Sequence, residues 1–89
     1  MNGSRIEVEC SPRPSGVLEP RRMRIGRAVY DVAGILDRWY EGPRRAGGPT
    51  RLYFKVRSRG GSLFIVAHDF PADEWSLVRA IGPEVPPAD

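Results

Sequence analysis

Residues 51–57 read RLYFKVR, and polar and apolar side chains alternate along them more clearly than elsewhere in the chain. Alternation with a period of two places successive side chains on opposite faces, as in a half-buried β-strand. One face of the predicted strand points to a core and carries Leu52, Phe54 and Val56. The other face points outward and carries Arg51, Tyr53, Lys55 and Arg57.

The segment after this strand predicts a hairpin. Gly60-Gly61 is typical of a two-residue turn of the primed type, and the apolar run 63–67 then returns antiparallel to the first strand. Such a turn places Phe64 on the outer face, opposite Arg57, where an exposed cation–π pair stabilises by about 0.5–1 kcal/mol. The alternative is that another strand covers Phe64 and Val66, with the cationic side chains lying over the rim.

The rest of the chain also reads as strands and turns. Residues 5–10 alternate strictly, 21–33 have the pattern of a hairpin that turns at Gly26-Arg27, and 74–81 form a last strand. Residues 28–40 fit either a bent strand with a bulge near Gly34 or a helix. The strand is favoured because Val, Ile, Tyr and Trp prefer strands, and a glycine inside a helix costs about 1 kcal/mol relative to alanine.

These elements predict an all-β fold, a small antiparallel sheet of five to six strands that curls or closes into an SH3-like barrel. Closure is favoured because it removes exposed strand edges. We expect a single domain over 1–81, an exposed loop over 41–50 and a disordered Pro-rich tail over 82–89. Trp39 and Trp75 are expected to anchor the core, the alternative being that their rings form a stacking platform for a ligand.

The composition narrows the functional classes. The 89 residues include one Cys and one His, too few for a structural zinc site, and no glycine-rich phosphate-binding motif. We expect no metal and no cofactor, and we predict that the protein is not an enzyme. A catalytic role for His68 or Cys10 ranks last, because His68 is expected at the surface or rim and Cys10 at a half-buried strand position. The absence of a signal segment and of the ~18 apolar residues that span a bilayer predicts a cytoplasmic protein without a membrane partner.

Charge is distributed unevenly along the chain. Residues 1–20 carry a net charge of −1, residues 21–60 carry +8 and residues 61–89 carry −4. Thirteen of the fourteen basic residues are Arg, whose planar guanidinium suits bidentate contacts with phosphate or carboxylate. A basic middle segment is compatible with a polyanionic partner, with pairing inside the chain, and with the residue usage of a GC-rich genome.

Cations interleaved with aromatic side chains are typical of surfaces that bind single-stranded nucleic acid. We therefore predict a binding module whose partner is nucleic acid or another polyanion, such as an acidic protein. The alternative is a protein-interaction or structural module that uses an exposed strand edge or the face of Phe64 and Val66. The residues predicted to bind the polyanion are Arg22, Arg24, Arg44, Arg45, Tyr53, Lys55, Arg57 and Phe64.

Several short motifs carry a resemblance to a known family. They are PRR at 20–22, LDRWY at 36–40, YFKVR at 53–57, the pair His68-Asp69, and the W-x-L pattern at 75–77. Over residues 5–79 the chain resembles a family of short bacterial cytoplasmic proteins that form a domain of unknown function. It is more loosely similar to a small domain found beside error-prone DNA-polymerase-like proteins in some bacteria. The resemblance implies no activity and adds slightly to the case for a DNA-related role.

Overall fold

A computed structural model describes residues 4–12, 18–42, 50–69 and 72–83. These residues form the six strands β1 (Ser4–Pro12), β2 (Leu18–Ile25), β3 (Ala28–Glu41), β4 (Arg51–Ser58), β5 (Leu63–Asp69) and β6 (Glu74–Ile81). Each strand pairs antiparallel with the next, and β1 also pairs with β6, so the sheet closes into a barrel. The prediction of a small all-β barrel is confirmed. No helix in this part of the chain is long and apolar enough to cross a membrane.

β3 changes its pairing partner along its length. Residues 28–31 pair with β2, whereas residues 32–41 pair with β4. The register with β4 shifts twice, between Val32 and Gly34 and between Ile35 and Asp37. Each extra residue bends and twists a strand, which allows β3 to serve two ladders. The bent-strand interpretation of residues 28–40 is therefore confirmed, and the helix is excluded.

The second register shift decides which side of the barrel Trp39 occupies. Ile35 lies opposite Val56 on the inner face, whereas Trp39, beyond the shift, lies opposite Tyr53 on the outer face. The prediction that Trp39 anchors the core is wrong, since this residue is 39% exposed. Trp75 is half-buried and packs against the core, as expected.

The hairpin between β4 and β5 turns through three residues rather than two. The Ser58 N–H donates to the Ser62 carbonyl at 2.9 Å, and the Gly61 N–H donates to the Ser58 carbonyl at 3.0 Å. Gly61 takes a φ of 97°, as expected of a three-residue loop that ends in a left-handed residue. The longer loop moves β5 by one position, so Phe64 lies opposite Val56 on the inner face.

The outward position predicted for Phe64 is therefore wrong. A slip of one residue moves every side chain of a strand to the other face. Phe64 and Val66 are fully buried. This agrees with the alternative given above, in which the barrel covers both side chains. The positions on the outer face of β5 belong instead to Leu63 and Ile65, which are half-buried.

The core lies inside the barrel and draws side chains from β1 to β5. Its buried members are Ile6, Met23, Ile25, Tyr30, Phe54, Val56, Phe64 and Val66. β6 contributes the half-buried Trp75, Leu77 and Ala80. Because the interior is filled by apolar side chains, charged groups that bind a ligand must lie on the outer surface or at an end of the barrel.

Two structural predictions fall largely outside the described residues. The exposed loop predicted over 41–50 includes residues 43–49, which are not described, while Glu41 still belongs to β3. The disordered tail predicted over 82–89 includes residues 84–89, which are also outside the described part.

Candidate nucleic-acid interface

β4 presents three of the predicted binding residues on the outside of the barrel. Phe54 and Val56 are buried, so the alternate side chains of Tyr53, Lys55 and Arg57 point outward. Arg57 is exposed, and the other two are half-buried. The prediction that these three side chains share one face is confirmed.

Trp39 adds a second aromatic ring to this surface. Its indole lies parallel to the ring of Tyr53, with centroids 5.2 Å apart and an angle of 1° between the planes. Tyr53 is held in place because its hydroxyl donates to Oε1 of Glu41 at 2.7 Å. Parallel rings at this separation are offset, the arrangement that aromatic pairs prefer over a face-to-face sandwich. We call Trp39, Tyr53, Lys55 and Arg57 the β4 face.

The cations of the β4 face differ in their surroundings. Lys55 lies opposite Asp37 of β3, which offsets part of its charge. Arg57 lies between Gly34 of β3 and Leu63 of β5 in the two ladders. Neither of these two neighbours is charged. Because side chains in a sheet interact mainly with their cross-strand neighbours, the Arg57 guanidinium is better placed than the Lys55 ammonium to contact an external anion.

The other end of β4 is acidic. Arg51 lies between Glu41 of β3 and Asp69 of β5 in the two ladders. These two carboxylates outnumber the single guanidinium between them. The attraction for an anion is therefore concentrated at the Arg57 end of the strand.

Two further predicted binding residues lie on the outside of β2, in ion pairs. Arg22 Nε donates to Oδ1 of Asp31 at 2.9 Å, and Arg24 Nε lies 3.9 Å from Oε1 of Glu7. The hydrogen bond from Arg22 to Asp31, with the negative charges of Asp31 and Glu9, raises the pKa of Arg22. Both guanidinium groups already have an anionic partner, so they are less available to an external polyanion.

The eight predicted binding residues therefore do not form one surface. Tyr53, Lys55 and Arg57 meet on the β4 face, Arg22 and Arg24 lie on β2, and Phe64 is in the core. Arg44 and Arg45 lie outside the described residues.

A cleft of about 740 Å³ opens where β3 leaves β2. Arg21 and Arg38 contribute to its lining. Nη2 of Arg38 donates to Oε2 of Glu19 at 2.9 Å, and the guanidinium carbon lies 5.7 Å from the ring centre of Phe54. Sequence analysis missed Arg38 because its position depends on both register shifts of β3, which alternation alone does not reveal.

Cys10 and His68 line one groove together with Asp73 and Trp75. The prediction that His68 is an exposed residue at the surface or rim is wrong: the residue is 9% exposed, and its ring stacks on Trp75 with centroids 4.4 Å apart. Nε2 of His68 lies 2.8 Å from Oδ1 of Asp73. Burial, and to a lesser extent the charge of Asp73, raises the pKa of the Cys10 thiol. Because the thiolate is the reactive form, these surroundings work against nucleophilic chemistry at Cys10.

Among the residues that the structure describes, no group of three or more His, Cys, Asp and Glu side chains is arranged to hold a metal ion. Comparison with protein-family models, with curated proteins and with solved structures gives no match for this chain. The β4 face and the cleft beside β3 are therefore the features that bear on function.

Proposed function

We propose that this protein is a binding module without enzymatic activity, and that it binds nucleic acid or another polyanion through the β4 face. The observation that carries the proposal is the parallel stack of Trp39 and Tyr53 on the outside of the barrel, beside Lys55 and Arg57. A ligand that combines flat rings with phosphates matches a surface that combines accessible aromatic rings with cations.

Phosphate contacts by Lys55 and Arg57 would make the affinity depend on salt concentration in a predictable way. Each phosphate contact made by a Lys or Arg releases condensed counterions, so the logarithm of the association constant falls with the logarithm of salt concentration by about 0.7–0.9 per contact. Lys55 and Arg57 are expected to make two such contacts. Arg22 and Arg24 are expected to contribute less, because the carboxylates of Asp31 and Glu7 lie beside them and offset part of their charge.

Fluorescence anisotropy tests the proposal directly. The probes are a labelled oligo(dT) of roughly 12 nucleotides, within the range that small β-barrels cover, and a duplex of equal length. Each is titrated with the protein at about 50 and 200 mM salt, over which phosphate contacts weaken binding strongly. The double variant Lys55→Gln/Arg57→Gln is expected to bind more weakly and to have a salt slope smaller by about two contacts.

The matched control is Arg22→Gln/Arg24→Gln, which removes the same net charge from β2. The proposal expects this variant to retain most of its affinity. Flat titrations with both probes at low salt would overturn the proposal. Equal losses in the two double variants would show that net charge, rather than the β4 face, governs binding.

A protein partner is the second candidate, and two exposed apolar side chains of β6 favour it. Val78 is 53% exposed and Ile81 is 49% exposed, and Ile81 lies opposite the half-buried Leu63 in the ladder with β5. Exposed apolar side chains that adjoin one another mark interaction sites more often than isolated ones do. The face of Phe64 and Val66 is not available for this role, because both side chains are in the core.

A further inference from the structure

The edge of β3 beside Trp39 has no strand partner in the described part of the chain. β2 pairs with β3 only as far as Asp31, and residues 32–41 of β3 are paired on the opposite edge, with β4. In a continuous sheet, a further strand would place a side chain against the far side of Trp39. Here no described strand takes that position, and the cleft between β2 and β3 runs along the same edge of β3 from Val32 to Arg38.

The geometry of the aromatic pair determines which ring surface is left open. Trp39 and Tyr53 are register partners on neighbouring strands, and their parallel rings have centroids 5.2 Å apart. Tyr53 therefore covers one face of the indole from the β4 side. The other face is turned toward the unpaired edge of β3. The 39% exposure of Trp39 agrees with one open face.

Cations share the outer face of the sheet with this ring. Lys55 lies two residues from Tyr53 in β4, so its side chain points to the same side as Tyr53 and Trp39. Arg38 precedes Trp39 in β3 but lies opposite the buried Phe54 on the inner side, where it lines the cleft together with Arg21. A phosphate bound by Lys55 would lie on the same face as a base stacked on the indole.

We infer that the open face of Trp39 binds one unpaired base, as the third ring of a stack begun by Tyr53, so that the ligand is single-stranded nucleic acid. The inference rests on the proposed function and names its ligand class. In a duplex, both faces of each internal base are covered by neighbouring base pairs, and the indole has no ring to receive. Base–aromatic stacking tolerates every base, so the expected preference is for single strands of any sequence.

Tryptophan fluorescence provides a readout specific to this site. The chain has two tryptophans, and Trp75→Phe leaves Trp39 as the single reporter. Oligo(dT) of roughly 12 nucleotides is expected to quench the Trp39 emission on binding, whereas a blunt duplex of equal length is not. Should Trp75→Phe fail to fold, the difference in quenching between the wild-type protein and Trp39→Leu gives the same information.

Affinities measured by anisotropy distinguish base stacking on Trp39 from the binding of polyanions in general. The wild-type protein is expected to bind the single strand about tenfold or more tightly than the duplex, as one stacked base provides. Trp39→Leu should lose this preference, because its affinity for the single strand falls by a larger factor than its affinity for the duplex. Equal binding of both probes by both proteins, without quenching, would overturn the inference and leave polyanion binding intact. Binding of neither probe would overturn the proposed function itself.

Discussion

Nη2 of Arg38 donates a hydrogen bond to Oε2 of Glu19 at 2.9 Å, across the cleft where β2 and β3 separate. The Arg38 side chain is 40% exposed and that of Glu19 is 18% exposed. Partly exposed ion pairs contribute about 1 kcal/mol or less to stability. The larger consequence of this pair is electrostatic, because Glu19 neutralises a cation that lines the cleft along the unpaired edge of β3.

Glu19→Gln is therefore expected to strengthen binding of oligo(dT) severalfold and to increase the salt slope by about one contact, since Arg38 becomes free to bind phosphate. The measurement is the same anisotropy titration. Glu7→Gln is the matched control, because it removes an equal charge beside Arg24, away from the cleft. An equal gain in the two variants would refute a local role for Arg38.

Phe64→Ala is expected to lower the free energy of unfolding by about 3–5 kcal/mol, the usual result of truncating a buried Phe. Phe64 is fully buried, and its ring lies 4.9 Å from that of Tyr30. Val78→Ala serves as the comparison and should change the stability by no more than ~0.5 kcal/mol, because Val78 is exposed. Urea denaturation measures both variants. A loss below ~1 kcal/mol for Phe64→Ala would contradict the inward orientation of β5.

Three glycine variants separate backbone strain from steric overlap. Gly82 has a φ of 124°, and a Cβ there would lie 2.8 Å from the Ser62 Cα, whereas Gly61 has a φ of 97° with open space around it. Gly61→Ala is expected to destabilise by about 1–2 kcal/mol through strain, and Gly82→Ala by more. Gly34→Ala meets neither condition and should fall within ~1 kcal/mol of the wild type. The stability of each variant is measured by thermal or urea denaturation. A larger loss of stability in Gly34→Ala than in the other two variants would contradict this interpretation.

Alkylation of Cys10 by iodoacetamide should require a more alkaline pH than alkylation of a free cysteine. Burial and the charge of Asp73 both raise the pKa of this thiol, and the thiolate is the species that reacts. Asp73→Asn removes the smaller of the two causes, so the midpoint of the rate–pH profile should move part of the way back to lower pH. Asn is a suitable replacement because Asp73 has a φ of 51°, a conformation that Asn also tolerates.

The control for this experiment is Glu74→Gln. Glu74 lines the same groove but forms an ion pair with Arg5 at 2.6 Å, and it is not among the causes of the raised pKa of Cys10. Its removal should leave the alkylation profile nearly unchanged. A profile that does not move in Asp73→Asn, or that moves to higher pH, would contradict the electrostatic role of Asp73.

Local alternation was sufficient to predict the outward face of β4. The period of two in residues 51–57 is unbroken, and β4 contains no register shift in its ladder with β5. Tyr53, Lys55 and Arg57 could therefore be assigned to one face from the alternation alone. The same argument correctly predicted the half-buried position of Cys10 in β1.

Alternation was not sufficient for β5, because residues 63–67 are all apolar and fit a core on either face. The length of the turn decides the register of such a strand. Gly60-Gly61 resembles a two-residue turn, yet the loop closes between Ser58 and Ser62, which are both buried. The Ser62 N–H also donates to the Ser58 hydroxyl oxygen at 3.1 Å, a bond that turn propensities do not predict.

The amino-acid sequence by itself determined that this chain forms short antiparallel strands around an apolar interior, because period-two patterns and turn residues act over a few neighbouring positions. Only the tertiary structure decided where Trp39, Arg38 and Phe64 point. Those orientations depend on two bulges in β3 and on one extra residue in a turn, and each such insertion reverses every side chain that follows it. The registers that form are those that together bury the apolar side chains inside the closed barrel. This burial depends on all six strands, so it cannot be read from any single segment.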